Sequence, residues 1–252
     1  MNSSWLLLNK KLGTFLLKRY NLVLGFDHQK IKGNKMFTKS HLVFAAIGAV
    51  LVLTWGCSST YYGAMEKVGV HKRDIMVDRV EKARDSQEEA QEQFKSALEQ
   101  FDSVVKLKET DLKKAYDKLN AEYENSQEAA EEVSDRIDKV ESVAGALFDE
   151  WQEELDLYQN KELRNSSKEQ LRKTKSRYRE MLASMHQAEK SMDPVLKIFR
   201  DNVLYLKHNL NAQAIGSLQA EFANLQGEIN TLVKKMNVAI ESSNKFIADI
   251  KR

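Results

Sequence analysis

Beyond His71 the chain has almost nothing that interrupts a helix. Only Pro194, Gly145, Gly216 and Gly227 occur from there to Arg252. Loops and tight turns draw on Gly and Pro for backbone angles that other residues resist. A stretch this long without them can only be built mostly of long helices.

The apolar pattern says how those helices must be used. Residues spaced alternately four and three apart lie in one stripe along a helix, and a stripe of that period faces a partner along its whole length. Four such seams occur. The first is Met76, Val80, Ala83, Gln87, Ala90, Phe94, Ala97, Phe101 and Val104. The second runs from Leu112 through Tyr116, Leu119, Tyr123, Ser126, Ala130, Val133, Ile137, Val140, Ala144 and Leu147 to Trp151. The third runs from Leu171 through Tyr178, Met181, Met185, Ala188, Met192 and Val195 to Phe199, and the fourth from Ile215 through Phe222, Ile229, Met236 and Phe246 to Ile250. No helix can hide its seam alone, so the fold class expected is all-α. The architecture expected is an elongated antiparallel helical bundle or coiled coil of three to four long helices. Helices are expected at about 66–107, 111–159, 167–209 and 212–250.

Cap residues set the expected boundaries. Ser166-Ser-Lys-Glu169 fits a capping box that opens the third helix after a polar turn at 160–165. Asp193-Pro194 offers an N-cap followed by proline at the first helical position, so a kink is expected there. Thr110 and Asp111 are weaker caps, which leaves open a single rod through helices one and two. Residues 128–156 hold eleven acids against Arg136 and Lys139, while residues 164–179 hold seven bases against Glu169. A hairpin turning near residue 162 would set these blocks side by side. Each exposed ion pair is worth under ~1 kcal/mol, so the pattern favours a register more than it stabilises the fold.

The N-terminal quarter has a different character. Residues 1–56 carry eight Lys/Arg and one acid, Asp27, whereas residues 57–252 carry 31 bases and 36 acids. The mildly acidic body is poorly suited to neutralising phosphates, so no nucleic acid is expected as a partner. From Met36 the sequence reads as a signal peptide, residues 36–56. Lys39 supplies the positive start and Leu42–Leu53 the apolar run, shorter than the ~20 residues that span a bilayer. Small Gly56 precedes Cys57, the chain's single cysteine, and Ser58-Ser59 follows. The stretch L53-T-W-G-C57 resembles the bacterial lipobox, with Thr54 where Leu is usual and bulky Trp55 before Gly56. Cys57 is therefore the expected lipid-attachment residue, and an uncleaved signal anchor is the alternative. Met36 is the expected start, residues 1–35 being an upstream extension; a basic amphipathic helix on the cytoplasmic membrane face is the other option.

Signatures of chemistry are missing from the sequence. It has no G-x-x-x-x-G-K-[ST] loop, no G-x-G-x-x-G, no H-E-x-x-H and no cysteine pair. No catalytic residue, cofactor, metal or nucleotide is expected. His186 and His208 are expected to be solvated or capping residues. One cluster remains as a candidate interaction surface: Tyr61, Tyr62, Met65, Val68, Val70 and His71, directly after the anchor. The simpler role for it is a cap closing the end of the bundle.

Residues 60–87, T-Y-Y-G-A-M-E-K-V-G-V-H-K-R-D-I-M-V-D-R-V-E-K-A-R-D-S-Q, resemble the opening of an uncharacterised bacterial lipoprotein family defined only as a domain of unknown function. The resemblance covers residues 57–252. Some members are labelled "DNA repair ATPase", a label these residues do not support. The resemblance implies a lipoprotein and supplies no catalytic residues to carry over. The reading expected from the residues is a lipid-anchored, periplasm-facing envelope protein, with an envelope protein partner or self-association and no catalysis, and Ser58 after Cys57 resembles the pattern that sorts a lipoprotein to the outer membrane. A cytosolic coiled-coil accessory of DNA metabolism is the competing possibility.

Overall fold

The computed structural model describes residues 57–67, 69–106, 112–209 and 212–251. The chain divides into two units, 1–54 and 55–252, and all described residues belong to the second. The expected signal peptide, lipobox stretch and N-terminal extension therefore lie outside the described residues, up to Gly56.

The described residues are helical throughout, with no strand. The helices are α1 (Cys57–Lys67), α2 (Lys72–Val105), α3 (Leu112–Glu154), α4 (Lys161–Lys190), α5 (Met192–His208) and α6 (Ala212–Ile250). A short 3-10 turn, Leu155–Leu157, follows α3. The seams form one core. Every member of the first is buried on α2, the polar Gln87 included. On α3, Leu119, Ser126, Val133, Ile137, Val140, Ala144 and Leu147 are buried, and on α6 the buried set runs from Ile215 to Ile250.

Contacts fix the directions. Lys72 meets Glu150 and Gln93 meets Glu122, at 2.9 and 2.8 Å, so α3 returns along α2. The possibility of one rod through α2 and α3 is thereby overturned. Trp151 Nε1 donates to Ser167 Oγ at 2.9 Å and Ser134 Oγ to Glu189 at 2.6 Å, so α4 reverses on α3. Gln91 Nε2 donates to Asn237 Oδ1 at 2.9 Å and Gln219 Nε2 to the Val105 carbonyl at 2.9 Å, so α6 runs against α2. Helix α2 packs on α3 and α6, and the α4–α5 pair packs on the same two. Aromatic groups lock both ends. Phe101 lies 6.0 Å from Phe199 and 6.2 Å from Phe222, and Tyr123 lies 6.3 Å from Phe199, joining α2, α3, α5 and α6. At the other end Tyr178 sits 5.3 Å from Phe148 and 6.3 Å from Phe246. Fully burying a ring such as Phe101 or Phe199 contributes about 1.5–3 kcal/mol.

Two boundaries depart from the sequence expectation. Helix α4 begins at Lys161, well before Ser166. The cap is Asn160, whose side-chain oxygen accepts from the Glu162 and Leu163 amides at 2.8 and 3.1 Å. Ser166 lies inside the helix. The break near Pro194 falls at Ser191, and Pro194 is the third residue of α5. The proline ring disfavours the carbonyl four residues earlier, which is Lys190, and α4 ends on that residue.

The acidic and basic blocks do lie along one another, but few ion pairs cross between them. Asp156–Arg164 at 2.5 Å does so, while Glu141 reaches past the basic block to His186 at 2.7 Å. Lys139–Asp135, Arg136–Glu132 and Arg172–Glu169 stay on single helices. Arg177 turns to Asp249 on α6 at 3.2 Å. The register is carried by the apolar seams.

Candidate functional site

The residues that follow Cys57 form a docked helix and a tight reversal. After α1 the Gly69 amide donates to the Glu66 carbonyl at 2.9 Å and the Val70 amide to Met65 at 3.0 Å. That paired pattern is a Schellman stop, and it places its hinge residue in the left-handed region. Gly69 sits there, at φ +84°, where a side chain would be strained. Val70 and Met65, the pair whose side chains usually meet in this motif, both pack on the core.

Two contacts hold α1 on the bundle. Tyr62 is buried, and its hydroxyl is 3.1 Å from Ser142 Oγ on α3. Lys72, only 10% exposed, bridges Glu66 of α1 and Glu150 of α3. Burial pulls the lysine pKa down, but its hydrogen bonds to both carboxylates outweigh this and raise it above the ordinary value. The same hydrogen bond lowers the pKa of Glu66. Lys72 is therefore a charged staple whose burial is matched by two partners, the arrangement a buried cation requires.

The six residues of the expected interaction surface thus divide. Tyr62, Met65 and Val70 pack inward and serve the fold. Tyr61 and His71 are exposed, and Val68 lies outside the described residues. Tyr61 also meets the Tyr62 ring edge-on, with centroids 5.3 Å apart. Cys57 opens α1.

Sequence reasoning passed over a second polar node. His186 was expected to be solvated or capping. It instead joins α4 to α3, with Nδ1 2.8 Å from Glu189 and Nε2 2.7 Å from Glu141. Burial pulls the imidazole pKa down; the hydrogen bonds to Glu189 and Glu141 overcome that and raise it above 6.5. Nearby Tyr178 is pushed up to about 12, by burial first and by the Glu141 charge second. The spacing His186–Glu189 is a visible i,i+3 signal, but Glu141 is distant in sequence and only the fold brings it in.

A groove of about 670 Å³ lies where α3, α4 and α6 meet the start of α2. Trp151 and Leu147 supply its apolar lining. Arg73, Lys173 and Arg177 face Glu150, Glu154 and Asp249 around it. Arg177 pairs with Asp249 within the lining, while Lys173 turns to Glu169 and Glu150 to Lys72 outside it, and three acids against three bases leave no net charge to favour an ionic ligand. Among the described residues no group of three His, Cys, Asp or Glu side chains could hold a metal ion, and no helix is long and apolar enough to cross a membrane.

The model of a family described as "Protein of unknown function (DUF2959)" matches residues 61–250. The chain belongs to this family. The match opens at Tyr61, inside α1, and closes on the last residue of α6, so it takes in the whole helical core. No curated protein and no solved structure matches the chain.

Proposed function

We propose that this family member is a lipid-anchored protein of the bacterial cell envelope. It would face the periplasm, sorted to the outer membrane, and have a structural or protein-interaction role and no catalysis. Its body would be an elongated antiparallel bundle tethered through Cys57. The observation that carries the reading is the sequence before the bundle: a basic start at Lys39, the apolar run Leu42–Leu53, and small Gly56 ahead of Cys57. An apolar run of that length suits a cleaved signal better than a span. Further support comes from where the family match starts. The family match opens at Tyr61, four residues after Cys57. A cut before Cys57 would remove the basic segment and keep the whole core. The core helices are packed on one another with their seams filled, which suits a scaffold presenting outer faces to an envelope partner or a second copy.

Palmitate labelling of wild type against Cys57→Ala, with membrane fractionation, tests the anchor. Label on wild type that is lost in the variant, together with loss of membrane association, is the expected result. An unlabelled wild type found in the soluble fraction overturns the proposal.

A further inference from the structure

Helix α1 is fastened more lightly than the helices of the core. From Tyr61 to Lys67 only Tyr62 is buried, with Met65 partly so, whereas each of α2 to α6 buries five or more side chains. Its polar fastenings are the Tyr62–Ser142 contact and the Glu66–Lys72 pair. Neither belongs to a core seam, and the first seam begins beyond both, at Met76. Lys72 keeps Glu150 when Glu66 leaves, so detaching α1 strands no buried cation. At 11 residues α1 is too short to stay helical by itself. Off the bundle it becomes a flexible leash, hinged near Gly69.

The docked helix fixes where the anchor sits. It runs parallel to α3, with Tyr62 beside Ser142 and Glu66 joined through Lys72 to Glu150. Cys57, five residues before Tyr62, is then about level with Ile137, in the middle third of α3. A bundle held there cannot stand on end, because about 20 Å of it, from Ile137 to Glu150, would enter the lipid. It has to lie on its α3 flank. That flank is acidic: Glu124, Glu128, Glu131, Asp135 and Asp138 are exposed and lie within about 40° of Ser142 around the helix. Lys139 beside them is turned onto Asp135.

We propose that α1 is a releasable strap, whose docking or release switches the bundle between lying on its flank and standing on end. The proposal rests on the lipid-anchor reading and deepens it. With α1 docked, the far end of the bundle stays within about 20 Å of the surface, the thickness of two helix layers. With α1 released, the leash of residues 57–71 leaves from Lys72, at the start of α2. It spans about 20 Å as a coil. The bundle then points away from the membrane, its far end a further 50 Å or so out, the length of α2. The charge of the leaflet sets the balance. Lying down presses the acidic face on the headgroups, which a neutral surface tolerates and an anionic one opposes. Glu131 accepts from Gln127 and, like Asp138, has no ion-pair partner among the described residues. A charge at an anionic surface is worth roughly fivefold, so these two should lower the docked-to-released ratio about 25-fold on anionic lipid. High salt screens the repulsion and restores docking.

The test uses the lipidated protein, its acylation confirmed by intact mass. Leu204→azidophenylalanine takes a donor dye; Leu204 is exposed and lies near the far end, since Phe199 meets Phe101 close to the end of α2. The protein is placed in phosphatidylcholine vesicles, with or without phosphatidylglycerol, that carry an acceptor dye on lipid. Energy transfer reads how near the far end lies to the surface. Hydrogen exchange of residues 61–67 reads whether α1 is docked. Neutral vesicles should give strong transfer and a protected α1. Anionic vesicles should lose both while α2 to α6 stay protected, and high salt should restore both. Tyr62→Ala should lose both in either lipid, whereas Glu131→Gln with Asp138→Asn should keep both in either. Transfer and α1 protection that are the same in the two lipids overturn the proposal. So does a loss of transfer with α1 still protected, which would mean that the bundle stands without releasing it. Protein of unmodified mass would sink the anchor reading instead. A maleimide lipid on the free Cys57 thiol then supplies the anchor, and the same two readings decide the strap.

Discussion

Gln87 should be replaceable by an apolar residue with a gain in stability. It occupies a seam position on α2 between Ala83 and Ala90 and has no exposed surface. Neither its amide nitrogen nor its amide oxygen has a hydrogen-bond partner. A buried polar group left unpaired costs about 1–3 kcal/mol relative to one in water. Gln87→Met keeps a long unbranched chain, so strain from the change should stay below ~1.5 kcal/mol. Removing the amide penalty and adding apolar burial should then stabilise the protein by about 1–3 kcal/mol. A body of this size shifts its Tm by about 2–4 °C per kcal/mol, so a rise of several degrees is expected. In urea the midpoint should move up with an unchanged m-value, since the exposed area on unfolding stays the same.

Gln87→Glu is the matching control. It buries a charge at the same place and should be strongly destabilising unless the carboxyl remains protonated. Gel filtration beside the melts checks oligomeric state, because a lone polar residue in a seam can act to specify one pairing over another. The reasoning is refuted if Gln87→Met melts lower than wild type by more than about 1 kcal/mol with the same oligomeric state. In that case the amide is satisfied in solution, for instance by an enclosed water, and contributes to the fold.

Two further outcomes follow from the ionic nodes. Lys72→Met should cost about 1–3 kcal/mol: below the fully buried case, because Glu66 and Glu150 are about 30% exposed and regain water. Faster amide exchange confined to α1 would locate the loss. Because Glu66 is held below its ordinary 4.5, its share is present above that value and fades as pH falls through the folded pKa. His186→Gln should behave in the opposite sense. The raised imidazole pKa stabilises wild type fully below about 6.5 and loses that contribution as pH rises through the folded value. The node is partly solvated, so screening keeps the difference under ~1 kcal/mol. Urea midpoints of the two proteins should differ in mild acid and converge in mild alkali.

The core was legible because a helix has one period. Once Gly and Pro were absent, spacing alone put Met76 through Val104 on one face, and it placed even Gln87 correctly despite its polarity. Nothing comparable marks where a helix outlasts its core. Residues 161–170 have no seam, so the strong-looking cap at Ser166 was the natural start to expect. Asn160 opens α4 earlier, and the segment is held by Trp151 on Ser167 rather than by burial. Lys72 was equally silent in sequence, since a lysine in a charged chain shows nothing of the two distant carboxylates it joins. His186 could be read only as far as Glu189.

These omissions share a cause that bears on function. Periodicity reports what the chain needs in order to fold, and it is blind to side chains that folding does not use. The overrun from Leu157 to Lys168 is such a place. Asn160 and the Asp156–Arg164 pair suffice to make the turn, and polar residues at 157 and 163 would make it equally well. Leucines there gain nothing from the core, being mostly exposed. An apolar side chain kept in water lowers its free energy only by meeting another apolar phase. In a chain whose other long seams are all filled internally, that makes the α3–α4 turn the surface to which a search for an external contact should go first.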